Sequence, residues 1–300
     1  KKIREIKPFI DSKQVKLVIG DSWKSLELGI DYLYFNKIPT VCLAHGNEFL
    51  SKKISKIKRI KKTLKKVSLV VANSKFTKNL VSELNISNLK VDYIYPGAND
   101  LRNQNAVELP NIKGNPILLT LSRIEKRKGH SYVIRSVEKL LSKYPNIIYV
   151  IAGEGSEKKF LEKLVLDKGL SKNIIFVGKV NDSQKKFLFE LTDLMVMPTI
   201  DDSKKNSIEG FGISYIEAAF FSIPSIVSNI GGTSEAVINN STGIVIDKMD
   251  ILYDAILDLL ANKEKINYLG KAAQLRAVKE FGWEKVIKNH ISTYKKNNII

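Results

Sequence analysis

PILLTLSRIEKRKGHSYVIRSVEKLLSKYPNIIYVIAG, residues 116–153, holds an apolar run, a charged turn, a helical pattern and a second apolar run. The two runs, ILLTL and IIYVIA, are almost unbroken by polar residues, which marks strands buried on both faces. Between them Val133, Val137, Leu140, Leu141 and Tyr144 recur at spacings that place them on one side of a helix. A strand, a crossover helix and another fully apolar strand form a βαβ unit with parallel strands.

The same alternation extends outward in both directions. Toward the start, VKLVIG (15–20), PTVCLAHG (39–46), VSLVVANS (67–74) and KVDYIYPG (90–97) read as strands closed by glycine or polar turns. Toward the end, NIIFVG (173–178), LMVMPT (194–199), PSIVSN (224–229) and GIVID (243–247) repeat the pattern. The fold class expected is α/β, with parallel sheets covered on both faces. GANDLRNQNAVELPNIKGNP (97–116) is polar, rich in turn formers and without either period, so it reads as an interdomain linker. Two α/β domains follow, 1–100 and 110–278. The tail FGWEKVIKNHISTYKK reads as one more amphipathic helix, with Trp283, Val286 and Ile287 on its apolar side. There is no solenoid repeat and no low-complexity tract.

With 300 residues, 44% hydrophobic and 27% charged, the chain has ample apolar material for two cores. No apolar run reaches the roughly 18 residues a membrane span needs, and KKIREIKPFIDSKQ contains no signal-type apolar block. The expected location is the cytosol or the inner face of a membrane. The single cysteine, Cys42, excludes an internal disulfide framework and a Cys-rich metal site, and reads as a small buried strand residue. The 49 Lys and Arg against 31 Asp and Glu leave +18, a field that favours polyanionic partners: nucleic acid, an anionic membrane or phosphorylated substrates. Drift toward AT-rich codons, visible in the abundance of Lys, Ile and Asn, accounts for the same excess without any partner.

Open parallel sheets bind ligands beyond the carboxyl ends of their strands. After PILLTLS, RIEKRKG sets Arg123 and Lys128 ahead of a helix starting near His130. Two cations beside orphan helix amides suit a diphosphate, although surface charges on a turn look the same in sequence. After NIIYVIAG, Gly153 and Gly155 open another turn, but Lys158 occupies the position where a dinucleotide fingerprint needs its third glycine. After LMVMPT comes SIEGFGISYIEAA (207–219), with Glu209 and Glu217 on either side of a glycine-spaced helix start. Its unobstructed amides at Phe211, Gly212 and Ile213 suit a phosphate. Glu217 falls at the edge of a buried stripe of Ile213, Ile216 and Phe220, where a carboxylate needs donors such as a ribose diol. Each glutamate alone could be an ordinary helix-start acid. Together with the cations they describe a nucleotide-sugar site.

RIEKRKG, IAGEGSEKKFLEKL, IIFVGKV, IEGFGISYIEAAFFSIPSIVSNIGGTSEAVINNSTGIVI and FGWEKVIKNHISTY together resemble the retaining glycosyltransferases of family 4, which have the GT-B fold of two Rossmann-like domains. The resemblance covers almost the whole second domain in order, and the E(x7)E element from Glu209 to Glu217 is its most specific part. It implies that Arg123 and Lys128 hold the diphosphate, Glu217 the ribose hydroxyls and Glu209 the donor sugar. It places the Phe211, Gly212 and Ile213 amides beneath the phosphates, and Gly178, Lys179 and Val180 along the base pocket. Gly231, Gly232 and Glu235 fall in the GGxxE turn, read as structural. The resemblance also implies catalysis without a metal; IDDS (200–203) looks like a metal-binding acidic pair but lacks its flanking pattern. The C-terminal helix, 279–300, is expected to pack back toward the first domain.

In the first domain, AHGNE ends a strand and presents His45, which the resemblance turns toward donor sugar and acceptor. Ser74 reads as a helix cap in scaffold. SKKISKIKRIKKTLKKV carries nine Lys and Arg from Lys52 to Lys66, with Ile54, Ile57 and Leu64 on one side. It reads equally as a solvated face or as a peripheral anchor on anionic lipid. Family members begin with a further βαβ portion and a Gly-rich loop that nothing ahead of VKLVIG supplies, so the expectation is either a fragment or a reduced acceptor half. The function expected is transfer of a hexose, mannose or glucose type with GDP-mannose foremost, to a lipid-linked or polysaccharide acceptor. The EGFGISYIEAA wording looks closest to mannosyltransferases acting on phosphatidylinositol-type lipids. The alternatives are a non-catalytic nucleotide-sugar binder and a charge-driven nucleic-acid binder, the latter without any aromatic-interleaved basic groove in its favour.

Overall fold

The computed structural model describes residues 2–300, and Lys1 lies outside the described residues. The chain divides into two compact units. Unit 1 takes the chain up to Pro96, together with Asp202–Phe211 and Glu284–Ile300, and unit 2 comprises Gly97–Asp201 and Gly212–Trp283.

Unit 2 contains a wholly parallel sheet of β5 (Ile117–Leu121), β6 (Ile148–Ala152), β7 (Ile174–Gly178), β8 (Leu194–Met197), β9 (Ser225–Ser228) and β10 (Gly243–Ile246), in the order β10-β9-β8-β5-β6-β7. Ile117 pairs with Ile148 and Leu121 with Ala152, so both strands of the unit read first from the sequence lie inside the sheet. Strands β6, β8 and β9 are buried along their whole length, as fully covered parallel strands must be. One face meets the helix His130–Leu140 through Val133, Ile134, Val137 and Leu140, all inaccessible to solvent. Leu252, Ile256 and Leu259 of the helix Leu252–Leu260 belong to the same core.

The stretch 97–116 belongs to unit 2 and is pinned there, unlike the free linker its composition suggests. Leu101 is fully buried, the Ala98 N–H donates to Phe281 O at 3.0 Å, and the Val107 N–H donates to Ser183 O at 3.1 Å. The Trp283 indole donates to Asn99 at 2.8 Å. These are mostly backbone bonds, which leave no trace in residue type.

Unit 1 is built on a parallel sheet in the order β1 (Val18–Gly20), β2 (Thr40–Ala44), β3 (Leu69–Ala72), β4 (Val91–Tyr93). Trp23, Leu26, Leu33, Cys42, Val70 and Val81 fill one side. On the other side Val41, Leu69 and Val71 pack against Val286, Tyr294 and Ile299 from the end of the chain. Within the helix Trp283–Lys296 the buried side is therefore Val286 and Tyr294, while Trp283 and Ile287 are each 53% exposed, contrary to the apolar side drawn from the sequence.

The basic stretch folds as the helix Ile54–Leu64. Its apolar side is Ile60, Thr63 and Leu64, buried in the unit 1 core, whereas Ile54 is 70% exposed. The hydrophobic face is thus already occupied, and what the helix offers outward is charge. Arg59 is held by Glu27 through paired hydrogen bonds, one of 2.7 Å, and Lys66 by Asp31. No helix among the described residues is long and apolar enough to cross a membrane.

Leu64 ties the basic helix to the unit 1 core, and its truncation leaves a cavity. Leu64→Ala is expected to cost roughly 2–5 kcal/mol, while Lys61→Ala on the exposed side stays within about 0.5 kcal/mol of wild type. Urea unfolding of the two variants separates these outcomes.

Candidate functional site

From β5 the chain adds β6 and β7 on one side and then β8, β9 and β10 on the other, so the strand order reverses between β5 and β8. Connections at such a reversal diverge and leave a crevice at the carboxyl ends of the strands. The loops leaving β5 and β6 are tied together there: the Ser122 N–H donates to Ala152 O at 3.0 Å and the Ile124 N–H to Glu154 O at 2.9 Å. Gly153 lies between them with φ +137°, and a Cβ on it would stand 1.9 Å from the Ser122 carbonyl oxygen, so only glycine fits. Gly153 N–H also donates to Gly178 O at 2.7 Å, which brings in the end of β7.

Two helices complete the crevice. The helix Asp182–Leu191 begins at Asn181, which forms a reciprocal capping box with Gln184. The helix Ile213–Phe220 begins after Gly212, whose φ of +104° lies in the left-handed region. Its buried residues are Tyr215, Ile216, Glu217, Ala218, Ala219 and Phe220. Ile213 is 45% exposed and leaves the stripe assigned to it, because the helix turns its Tyr215 side to the core and the Tyr215 hydroxyl donates to Met197 O at 2.8 Å.

Between these elements is an open pocket of about 360 Å³, lined by Leu121, Ser122, Arg123, Ala152, Gly153, Glu154, Lys179, Val180, Lys185, Ser214 and Glu217. It brings together Arg123, Lys179, Val180 and Glu217 among the residues expected from the sequence. Gly178 directly precedes its wall. Gly212 and Ile213 open the helix that supplies Ser214 and Glu217. Lys128 sits in the 3-10 turn Lys126–Lys128, is buried, and is not part of this lining.

Charge in the pocket is unevenly solvated. Arg123 is 67% exposed along its side chain and ion-paired to Glu125 at 2.7 Å. Glu217 is buried and accepts from Lys185 at 3.0 Å; Lys185 also reaches Asp182 at 3.2 Å. Burial holds the Glu217 carboxyl above the usual carboxylate range despite the pull of Lys185. Burial would by itself lower the Lys185 ammonium, but Glu217 and Asp182 overturn that and raise it. Lys185 therefore stays a cation and keeps Glu217 in reach of ionisation. Ser122, Glu154 and Lys185 escaped the sequence reading. The signals available were the strand-end positions of the first two and, for Lys185, its place one turn into a helix whose NDSQ start is a capping box.

Unit 1 holds the other expected residues. His45 follows β2, is exposed, and its Nε2 lies 2.8 Å from Asp21 O; its own N–H donates to Glu48 at 2.7 Å. The loop carrying Glu209 lies beside it: the Ile208 N–H donates to Asn47 at 2.6 Å, and a Cβ on Gly210 would stand 2.2 Å from His45 O. Phe211 stacks on Tyr95 with ring centroids 5.1 Å apart. Cys42 is fully buried on β2, and burial pushes its thiol well above the ordinary range, as an inert core residue requires. In the GGxxE turn, Arg276 donates to the carbonyls of Glu235 and Ala236, each at 2.8 Å. Among the described residues no group of three His, Cys, Asp or Glu is placed to hold a metal ion.

A family model described as glycosyl transferases group 1 matches residues 102–276, and one described as glycosyltransferase family 4 matches residues 1–101. The chain is 28% identical over 170 residues to a GDP-mannose-dependent alpha-(1-6)-phosphatidylinositol monomannoside mannosyltransferase of Mycolicibacterium smegmatis. That match takes in 56% of this chain and 44% of the relative, so it spans less than half the length of that protein. Among solved structures, sucrose-phosphate synthase from Thermosynechococcus elongatus superposes with a TM-score of 0.81 at 20% identity, covering 98% of this chain and 76% of its own. Anabaena HepE in complex with UDP-glucose superposes with a TM-score of 0.76 at 20% identity, covering 94% and 79%. These likenesses establish a GT-B fold.

Removal of the Lys185 ammonium leaves a buried carboxyl without its cation. Lys185→Ala is expected to destabilise unit 2 by roughly 2–4 kcal/mol at pH 7, below the range of a fully buried pair because Lys185 is partly exposed. A carboxyl whose folded pKa lies above its unfolded one favours the folded state less as pH rises through that interval. The variant's deficit should therefore shrink between pH 7 and pH 4; thermal melts at the two pH values giving an equal deficit would show that Lys185 does not compensate Glu217.

Proposed function

The chain belongs to the glycosyl transferases group 1 family, and from that premise we propose that it is a retaining glycosyltransferase moving a hexose from a nucleoside-diphosphate sugar to a lipid-linked or polysaccharide acceptor. The observation that carries the reading is the unit 2 pocket, where an exposed guanidinium and a buried, lysine-paired carboxylate face one cavity of nucleotide-binding size. An exposed cation can meet a diphosphate at little desolvation cost, and a buried carboxylate is best satisfied by a pair of hydroxyls. Arg123 accordingly takes the diphosphate and Glu217 the ribose, with Gly178, Lys179 and Val180 beside the base.

The remaining roles follow the family pattern. Lys128 and the amides of Phe211, Gly212 and Ile213 support the phosphates, Glu209 the donor sugar, and His45 the reacting end. The step is displacement of the nucleoside diphosphate by an acceptor hydroxyl on the same face of the sugar, with the hydroxyl proton passing to the departing phosphate oxygen. Its energetic burden is the charge that develops on the leaving diphosphate, which fixed cations and amides meet without reorganisation. No metal is required by this scheme. GDP-mannose is the favoured donor, in line with the mannosyltransferase relatives. A cytoplasmic setting suits the reading, with the lysines of the helix Ile54–Leu64 near an anionic membrane. Because that helix buries its apolar side, such attraction is electrostatic, about 1 kcal/mol per well-placed lysine and weakened by salt.

Titration with GDP-mannose, UDP-glucose and their nucleoside diphosphates tests the assignment. Wild type binds at least one donor, and Arg123→Ala, Lys128→Ala and Glu217→Ala each weaken it by roughly tenfold or more, about 1.4 kcal/mol. Wild type and all three variants giving one dissociation constant would rule the pocket out as the donor site. A donor that binds but is never transferred in the presence of membrane extract would mark the chain as a non-catalytic binder.

A further inference from the structure

The helix Lys263–Glu280 lays one side on unit 2 through Leu269, Gly270, Ala273 and Ala277, all buried. A Cβ on Gly270 would stand 2.0 Å from the Ser222 carbonyl oxygen, so the helix backbone lies directly on the neighbouring chain. Gln274 donates to Phe220 O at 2.6 Å, and Arg276 to the carbonyls of Glu235 and Ala236. A surface helix held in this way ordinarily turns a polar side to water. Here the outer side carries Tyr268, Leu275 and Val278, which are 66%, 72% and 52% exposed. At 3.6 residues per turn Glu264, Tyr268, Lys271, Leu275 and Lys279 fall within roughly 80° of one another, opposite Leu269, Ala273 and Ala277. None of them lines the unit 2 pocket.

Charge on this row is placed with a symmetry. Glu264 and Lys279 are exposed, and neither side chain has a hydrogen bond or ion pair among the described residues. The point midway between Tyr268 and Leu275 is also midway between Glu264 and Lys279. Residues that face one another across a two-fold axis between antiparallel helices share one midpoint. A single placement of the axis therefore sets Tyr268 of each copy on Leu275 of the other and Glu264 on Lys279. A parallel pairing would instead oppose Glu264 to Glu264 and Lys279 to Lys279. Lys271 comes beside the axis in both copies and is the one feature against the pairing, although its stem lets the ammonium reach water at the edge. An acid at the start of a helix and a base at its end also suit the helix's own dipole, but that leaves the apolar residues between them unexplained.

We propose that this face is an isologous dimer interface, in which the helix Lys263–Glu280 packs antiparallel on the same helix of a second copy of the chain. Tyr268 and Leu275 form its apolar centre, and two Glu264–Lys279 pairs form its rim, the arrangement expected of an interface. The helix is already pinned by its inner side, so association orders side chains and no backbone. One helix pair buries less than the roughly 1,200 Å² of a standard complex, so the dimer is weak, with a dissociation constant of about 10–100 µM. The unit 2 pocket lies outside the interface and stays open to its ligand.

Sedimentation of the intact chain between about 5 and 500 µM tests this, because mass action moves a weak dimer through its midpoint in that interval. Wild type should pass from monomer toward dimer. Leu275→Lys should raise the dissociation constant about tenfold or more, and Glu264→Lys about threefold. Glu264→Lys combined with Lys279→Glu restores opposite charges across the axis and should return the constant to within about twofold of wild type. Lys271→Gln removes the like-charge encounter and should tighten the dimer about threefold. All these positions are exposed, so an unchanged urea midpoint separates lost association from lost folding. A wild type that stays monomeric throughout, or dimerises equally well as Leu275→Lys, overturns the proposal. A charge exchange that fails to recover the loss overturns the antiparallel register. Monomeric wild type that binds phosphatidylglycerol vesicles, with Leu275→Lys released from them, would give the face to a lipid surface and also overturn the dimer.

Discussion

Gly153 and the Ser122 carbonyl stand closer than any other residue would allow, and the whole pocket of unit 2 is arranged around that approach. Two backbone hydrogen bonds zip the loop after β5 to the loop after β6, and a third joins Gly153 to the end of β7. Three strand ends are thereby held as one rigid rim. Side chains with quite different solvation can then face one space: Arg123 in water, Glu217 out of it and Ser122 between. A backbone clamp does this without using side-chain functional groups, leaving them for a ligand.

The sheets were legible from the sequence because a strand buried on both faces has to be apolar throughout, and all ten quoted runs became strands. Helices were readable where one face meets a core, as in Val133, Val137 and Leu140. What could not be read was the direction a helix turns at its ends. Ile213, which the sequence places in a buried stripe, is 45% exposed, and Ile287, placed on the apolar side of its helix, is 53% exposed. Leu101, in the polar stretch 97–116, is fully buried, and that stretch carries no periodic signal to mark it.

Within the site, Arg123 and Glu217 were accessible to sequence reasoning because strand-end position and helix-start chemistry each have a residue signature. Lys185 was not. Its importance arises from Glu217 being buried, a tertiary fact, and from a helix that is adjacent only in space. His130 was visible only as a helix start, although its buried ring lies within reach of Tyr149 and Ser122. Several cations that shape the molecule, Arg59, Lys66 and Lys185 among them, are ion-paired with carboxylates.

The chain passes from unit 1 to unit 2 between Phe211 and Gly212. Two glutamates read from the sequence as one spaced motif therefore belong to different folding units: Glu209 to the loop beside His45, and Glu217 to the pocket with Arg123 and Ser122. Gly212, with its left-handed backbone, is the residue at which this happens. A side chain there would meet the Tyr215 ring at 2.3 Å, so the bend is enforced by packing as well as by dihedral. The carboxyl paired with Lys185 and the loop that carries Glu209 are thereby fixed by separate cores, although the two glutamates stand eight positions apart in sequence.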